Sequence, residues 1–252
     1  MNERRFDGMG KVYARHRPGY ATVFLDYLFS EAGFGAESNV ADVGSGTGIF
    51  SKQMLDRGVA RLYAVEPNSD MRIVAEKEMG NDKRYVSVSG TAESTDLVDD
   101  CVDFVTAAQA FHWFDKTRFK AECRRILKPQ GKVVLVWNTR DESCELVREN
   151  ERVIREYSKN FKGYSGGTHG AKGDNDITFF FEGNCETRVF SNDVAYDDRG
   201  FIGRNLSGSY APKENDTAYG GYVTALKKLF LKYQVGGTVL MKQLTRSYMG
   251  NV

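Results

Sequence analysis

The sequence predicts an α/β protein with a doubly wound, seven-stranded sheet, mostly parallel and completed by an antiparallel last strand. Three observations carry this expectation. Between residues 38 and 138, short β-branched runs alternate with longer amphipathic stretches, the pattern of βαβ units. A glycine turn, Gly44-Ser45-Gly46-Thr47-Gly48, stands between the first such run and a helical stretch. Near the end, residues 238–248 partly alternate apolar and polar, as an antiparallel strand does, and residues 186–196 read as its partner. Together these features describe a Rossmann-like architecture.

Taken in order, strands are expected at 39–44, 61–66, 84–89, 101–107 and 132–138. Phe119, Cys123, Ile126 and Leu127 share one helical face, and Lys128-Pro129-Gln130-Gly131 stops that helix. The run Val133-Val134-Leu135-Val136-Trp137 then reads as a buried strand. A helix is expected over 145–161, followed by a loop or lid at 163–173, where five glycines oppose a stable element. Tyr219, Tyr222, Val223, Leu226, Leu229, Phe230 and Tyr233 mark the apolar face of a further helix. No linker or repeat divides the chain, so residues 1–252 form one expected domain, with an N-terminal helical arm at 1–30 and a helical insertion or lid at 197–233.

Composition removes several function classes. With 35 basic against 34 acidic residues, a formal charge of +1 gives no field that would gather a nucleic acid. No run of eighteen apolar residues exists, which argues against a membrane span. The N-terminus has no apolar leader segment. Four scattered cysteines without a CxxC pair or a histidine at ligand spacing argue against a metal site and fit a cytoplasmic protein. The sequence carries no signal of oligomeric state.

The glycine turn carries the first functional signal. Residues 39–43, the turn and Ile49 onward read as strand, tight turn and helix, so backbone amides at the new helix's N-terminus face a ligand that suits an anion. A dinucleotide loop requires G-x-G-x-x-G or Ala, yet the third position here is Ile49, with Gly48 one residue early. A nicotinamide-dependent oxidoreductase is thereby disfavoured. The next strand ends on Glu66, where a carboxylate can accept from both ribose hydroxyls of an adenosine. Downstream, His112 lies just past the fourth strand, at the edge where open α/β sheets bind ligands; it is either a general base or part of a pocket wall. Phe111, Trp113 and Phe114 either shape a ligand site or form a buried cluster. Tyr210, in a loop of the insertion, is a candidate substrate contact.

These stretches, in this order, resemble the class I S-adenosylmethionine-dependent methyltransferases over roughly residues 8–140, and the subgroup resembled includes trans-aconitate and quinone-biosynthesis methyltransferase-like proteins. The resemblance implies that Asp42, Gly44, Ser45, Gly46 and Gly48 hold the methionyl part of S-adenosylmethionine. It further implies that Glu66 contacts the ribose, that Pro67 belongs to the same cofactor-binding motif, that Met71 lies beside the adenine, and that Thr91, Ala92 and Glu93 touch the adenine edge. The segment from Gln109 to Asp115 is similar to the end of the family's fourth strand, and Tyr13 and Arg17 are implied to reach the cofactor's carboxylate. The expected activity is transfer of a methyl group to a small-molecule acceptor, for which positioning alone can supply much of the acceleration. A cofactor-binding sensor or scaffold without transfer activity is the alternative from another class.

Overall fold

The computed structural model describes residues 17–161, 163, 171–208 and 210–252. Its main sheet has strands β1 (Asn39–Val43), β2 (Arg61–Val65), β3 (Tyr85–Val88), β4 (Val102–Ala108), β5 (Leu127–Arg140), β6 (Glu186–Ser191) and β9 (Gln243–Gly250), in the order β3-β2-β1-β4-β5-β9-β6. Every pair from β3 to β5 is parallel, whereas β9 is antiparallel to both β5 and β6. Thus one strand alone reverses, inserted between β5 and β6. A separate antiparallel pair joins β7 (Val194–Tyr196) to β8 (Val239–Met241). The 186–196 segment therefore splits between two sheets: β6 pairs with β9 and β7 with β8.

Helices α1 (Thr22–Ser30), α2 (Ile49–Asp56), α3 (Ser69–Met79) and α4 (Lys116–Ile126) accompany the parallel strands. Val40, Ala41, Asp42 and Val43 are all buried, as a strand covered on both faces requires. α3 and α4 begin on side-chain caps: Asn68 accepts from Met71 N–H and Asp115 from Arg118 N–H. α4 ends at Ile126 as expected, but residues 128–131 belong to β5 and bulge between the Val102–Leu127 and Phe104–Lys132 pairings. Gln130 takes φ +70° there.

Three differences from the sequence expectation concern the second half. Helix α5 (Glu145–Tyr157) stops short of Phe161, and Phe161 N–H turns back to the Ser158 carbonyl. Helix α6 (Ala171–Phe180) takes up the last three residues of the glycine-rich run expected as a loop, while residues 164–170 lie outside the described residues. Its Ile177 and Phe180, with Phe181, join the core on the α4 side of the sheet, and that gain outweighs the weak helix propensity of Gly173. Finally, helices α7 (Asp198–Leu206) and α8 (Tyr219–Tyr233) do not pack alone. They share a third core with α5 and the β7–β8 pair, containing Val147, Ile154, Phe201, Tyr222, Leu226 and Val239. A buried Asn150–Asn205 hydrogen bond of 3.0 Å ties α5 to α7. The expected N-terminal arm is described from Arg17 only: residues 17–21 are extended and α1 follows.

Among the described residues, no helix is long and apolar enough to cross a membrane, and no group of three or more His, Cys, Asp or Glu residues is placed to hold a metal ion.

Candidate functional site

The sheet changes direction of winding at β1, which has β2 on one side and β4 on the other. A cleft enclosing about 1180 Å³, its open mouth included, lies beyond the C-terminal ends of these strands, where α/β sheets bind ligands. Its floor is the glycine turn. Gly44 and Ser45 N–H both donate to the Val65 carbonyl, at 2.8 and 3.1 Å, which locks the turn against the end of β2. Gly46 takes φ +57°, and a Cβ there would meet nothing within 4 Å, so the backbone faces open space. At Gly48, with φ +81°, a Cβ would lie 2.3 Å from Met79 Cε and 3.1 Å from Ala75 Cβ. Gly48 thus serves close packing of α2 on α3 rather than the cleft.

Glu66, nearly buried at the end of β2, bridges the two sides of the floor. Its Oε2 accepts from Gly46 N–H and its Oε1 from Asn68 N–H, both at 2.9 Å. Asp42 sits behind the floor. It is fully buried, and its oxygens accept from Ser51 Oγ at 2.6 Å and Thr106 Oγ1 at 2.9 Å. Burial pushes its carboxyl up to about 6, against the pull of the two hydroxyls, and the Glu66 charge adds to the rise.

Of the residues the sequence singled out, Arg17, Gly44, Ser45, Gly46, Glu66, Pro67, Met71, Ala92, Gln109 and Trp113 line this cleft. The others do not. Asp42 is walled off by the turn that it braces. Thr91 exchanges backbone hydrogen bonds with Ser94, and the Glu93 carboxylate accepts from Asp115 N–H at 2.9 Å ahead of α4. Phe111 is 2% exposed and packs edge-on against Phe180 and Trp137, so its ring belongs to the core rather than to a substrate site. Residues 111–113 form a single 3-10 turn, which sends Phe111 inward and leaves Trp113 on the cleft; His112 does not line it. Tyr210 packs edge-on against Phe161, 4.7 Å between ring centres, and does not itself line the cleft. Tyr13 lies outside the described residues.

The cleft also takes residues that the sequence did not single out for it, among them Tyr20, Thr47, Asn68, Asn138 and Arg204. Thr47 Oγ1 is buried without a hydrogen-bond partner among the described residues. Asn138 anchors the extended segment ahead of α1: its Nδ2 donates to the Gly19 carbonyl at 3.0 Å, and Thr245 Oγ1 donates to its Oδ1 at 2.7 Å. From the other side, Gln53 of α2 makes a two-way contact with the backbone of Tyr20, at 2.9 and 3.0 Å. The segment is therefore strapped over the cleft from both flanks. A polar residue closing the apolar run 133–137 was a visible signal for Asn138; nothing local marks Arg204.

A methyltransferase domain family model matches residues 41–135. An uncharacterized methyltransferase of Mycobacterium tuberculosis is 39% identical over 143 residues, covering 57% of this chain and 56% of that protein. An uncharacterized methyltransferase-like protein of Schizosaccharomyces pombe is 33% identical over 148 residues, with 58% and 56% covered. The chain spans about half the length of the curated relatives it matches. Among solved structures, a candidate type II methyltransferase of Anaeromyxobacter dehalogenans aligns over 93% of this chain and 97% of its own with a TM-score of 0.63 at 19% identity. An S-adenosylmethionine-dependent methyltransferase of Geobacter sulfurreducens, in complex with S-adenosyl-L-homocysteine, aligns over 98% of both chains with a TM-score of 0.53 at 14% identity. At these identities, the structural likeness concerns the fold.

Proposed function

We propose that the chain is a class I S-adenosylmethionine-dependent methyltransferase that methylates a small-molecule acceptor by in-line displacement, a reading supported by the methyltransferase domain model over residues 41–135 and by the methyltransferase relatives. The observation that carries the reading is the Gly46–Glu66 floor, an open backbone cradle joined to a carboxylate that lines the cleft. The cofactor fits these residues. A ligand atom can occupy the space that a Cβ at Gly46 would take, and the unpartnered Thr47 hydroxyl is a polar contact at the cleft wall. Glu66 would accept the ribose hydroxyls, Pro67, Met71 and Ala92 would flank the adenine, and the turn at Gly44–Gly46 with Gln109 and Arg17 would hold the amino-acid end.

When bound, S-adenosylmethionine supplies a methyl group on a sulfonium that departs as a neutral thioether. The protein's part is then to orient and to exclude water. Trp113 and Phe114 give an apolar wall for the acceptor, and the strap at Pro18–Tyr20 covers the mouth. No base is required for an acceptor that loses no proton, and His112 stands off the cleft. Asp42 acts as a brace behind the turn. The test is calorimetry with S-adenosylhomocysteine, followed by a labelled-methyl screen over small acceptors. Micromolar binding with transfer supports the reading; tight binding with no transfer to any acceptor favours the sensor, and no binding overturns both.

A further inference from the structure

The loop Glu66-Pro67-Asn68 joins β2 to α3 and carries the carboxylate assigned to the ribose, so the loop's geometry decides where that carboxylate stands. Several ties hold its two ends. Glu66 N–H donates to the Val88 carbonyl at 3.1 Å, the Glu66 carboxylate accepts from Gly46 and Asn68 N–H, and Asn68 caps α3 by accepting from Met71 N–H. Pro67, in the middle, has no N–H to donate, so the loop cannot be fixed through that amide. The tie there comes from Arg72. Its Nη1 donates to the Glu66 carbonyl at 2.8 Å and to the Pro67 carbonyl at 2.9 Å.

Arg72 closes the first turn of α3, where its N–H donates to the Asn68 carbonyl at 3.1 Å. Helical side chains lean toward the N-terminus, so a long one at this position reaches back over the preceding loop. The placement opposes the helix dipole, because a cation near the positive end of a helix is unfavourable. Charge-assisted hydrogen bonds to two carbonyls offset that cost. Glu66, Pro67 and Met71 line the cleft, whereas the half-buried Arg72 does not. Neighbouring residues of one turn thus divide the work: Met71 forms cleft wall and Arg72 braces the loop opposite it.

We propose that Arg72 is a positioning residue for the adenosine end of the cofactor. It holds the Glu66–Pro67 backbone so that the Glu66 carboxylate keeps its place relative to Met71 across the ligand. The inference rests on the methyltransferase reading, with Glu66 on the ribose, and adds to it the group that keeps this contact in register. Recognition of the ribose then depends on a guanidinium that never touches it.

The experiment is calorimetry on the full chain with two ligands, S-adenosylhomocysteine and an analogue lacking both ribose hydroxyls, with urea unfolding of each variant alongside. The parent should favour the ligand that keeps its hydroxyls. Arg72→Met, which retains an apolar stem and removes the donors, should weaken S-adenosylhomocysteine about tenfold, the scale of one charge-assisted hydrogen bond. The same substitution should change the affinity of the analogue less than about twofold, because the contact that Arg72 positions is already absent from it. Arg72→Lys keeps a cationic donor and should recover part of the loss. If Arg72→Met does not fold, Arg72→Gln, too short to span both carbonyls, provides the same comparison. Two results overturn the proposal: S-adenosylhomocysteine affinity unchanged by Arg72→Met, or both ligands weakened equally, as a merely structural role would give. Failure of the parent to bind S-adenosylhomocysteine, or to distinguish the two ligands, removes the reading of Glu66 as well. A parent that distinguishes them, with a variant that distinguishes them as sharply, removes only this inference.

Discussion

Replacing Glu66 tests the floor of the cleft most directly, because one carboxylate serves both the fold and the ligand. Its two oxygens accept from Gly46 and Asn68 N–H at 2.9 Å, and the carboxylate lines the cleft, where it would accept the ribose hydroxyls. A hydrogen bond to a charged group contributes about 1.5–3 kcal/mol, so losing two toward the ligand removes roughly 3–6 kcal/mol. At 1.4 kcal/mol per decade, Glu66→Ala should weaken S-adenosylhomocysteine by about 10² to 10⁴-fold. Glu66→Gln keeps one acceptor oxygen and should lose less, about tenfold to a hundredfold. The backbone bonds give a second readout: Glu66→Ala also frees the Gly46 and Asn68 amides, with an expected loss of about 1–3 kcal/mol in urea unfolding. Calorimetry and unfolding on the same preparations separate the two effects. Binding by Glu66→Ala within threefold of the parent would refute the assignment of Glu66 to the ribose.

Four further outcomes follow from the geometry. Asp42 holds its proton up to about pH 6 in the fold, against about 3.9 in an unfolded chain, so the folded state binds more protons between those values. Stability should therefore fall by roughly 3 kcal/mol as pH rises from about 4 to about 6, and Asp42→Asn should abolish that slope in urea unfolding; a variant that retains it contradicts the assignment. Gly48→Ala places a Cβ against Met79 and Ala75 at a positive φ, and it should cost about 1–3 kcal/mol, read as a lowered Tm. Phe111→Ala should cost about 3–5 kcal/mol of stability, whereas Trp113→Ala should weaken ligand binding more than folding; the reverse pattern would mean the turn at 111–113 is misread. If the transfer needs no proton abstraction by His112, His112→Ala should reduce turnover less than about tenfold, well short of the loss expected for a general base.

The sequence by itself determined the floor of the cleft, because that floor is local in the chain. A strand, a glycine turn and a helix in succession fix where Gly44 to Gly46 lie, and a following βα unit puts Glu66 next to them whatever the rest of the chain does. It determined the parallel half of the sheet for a similar reason, since runs such as Val133 to Trp137 are apolar on both faces. The tertiary structure decided which side chains near that floor face it. Phe111 and Trp113 differ by two residues, and only the 3-10 turn assigns one ring to the core and the other to the cleft. Asp42 looked like a ligand contact from its place in the motif, yet the turn closes over it and leaves it to Ser51 and Thr106. Helix α6 was illegible because it begins inside a glycine-rich run and carries Gly173 in its first turn, and the burial of Ile177 and Phe180 on the sheet outweighs that. Asn138 and Arg204 reach the cleft across separations of more than a hundred residues from the strap they meet. Contacts of that kind are set by the order of strands and the docking of α7 and α8, which depend on the summed burial of many side chains rather than on any local spacing.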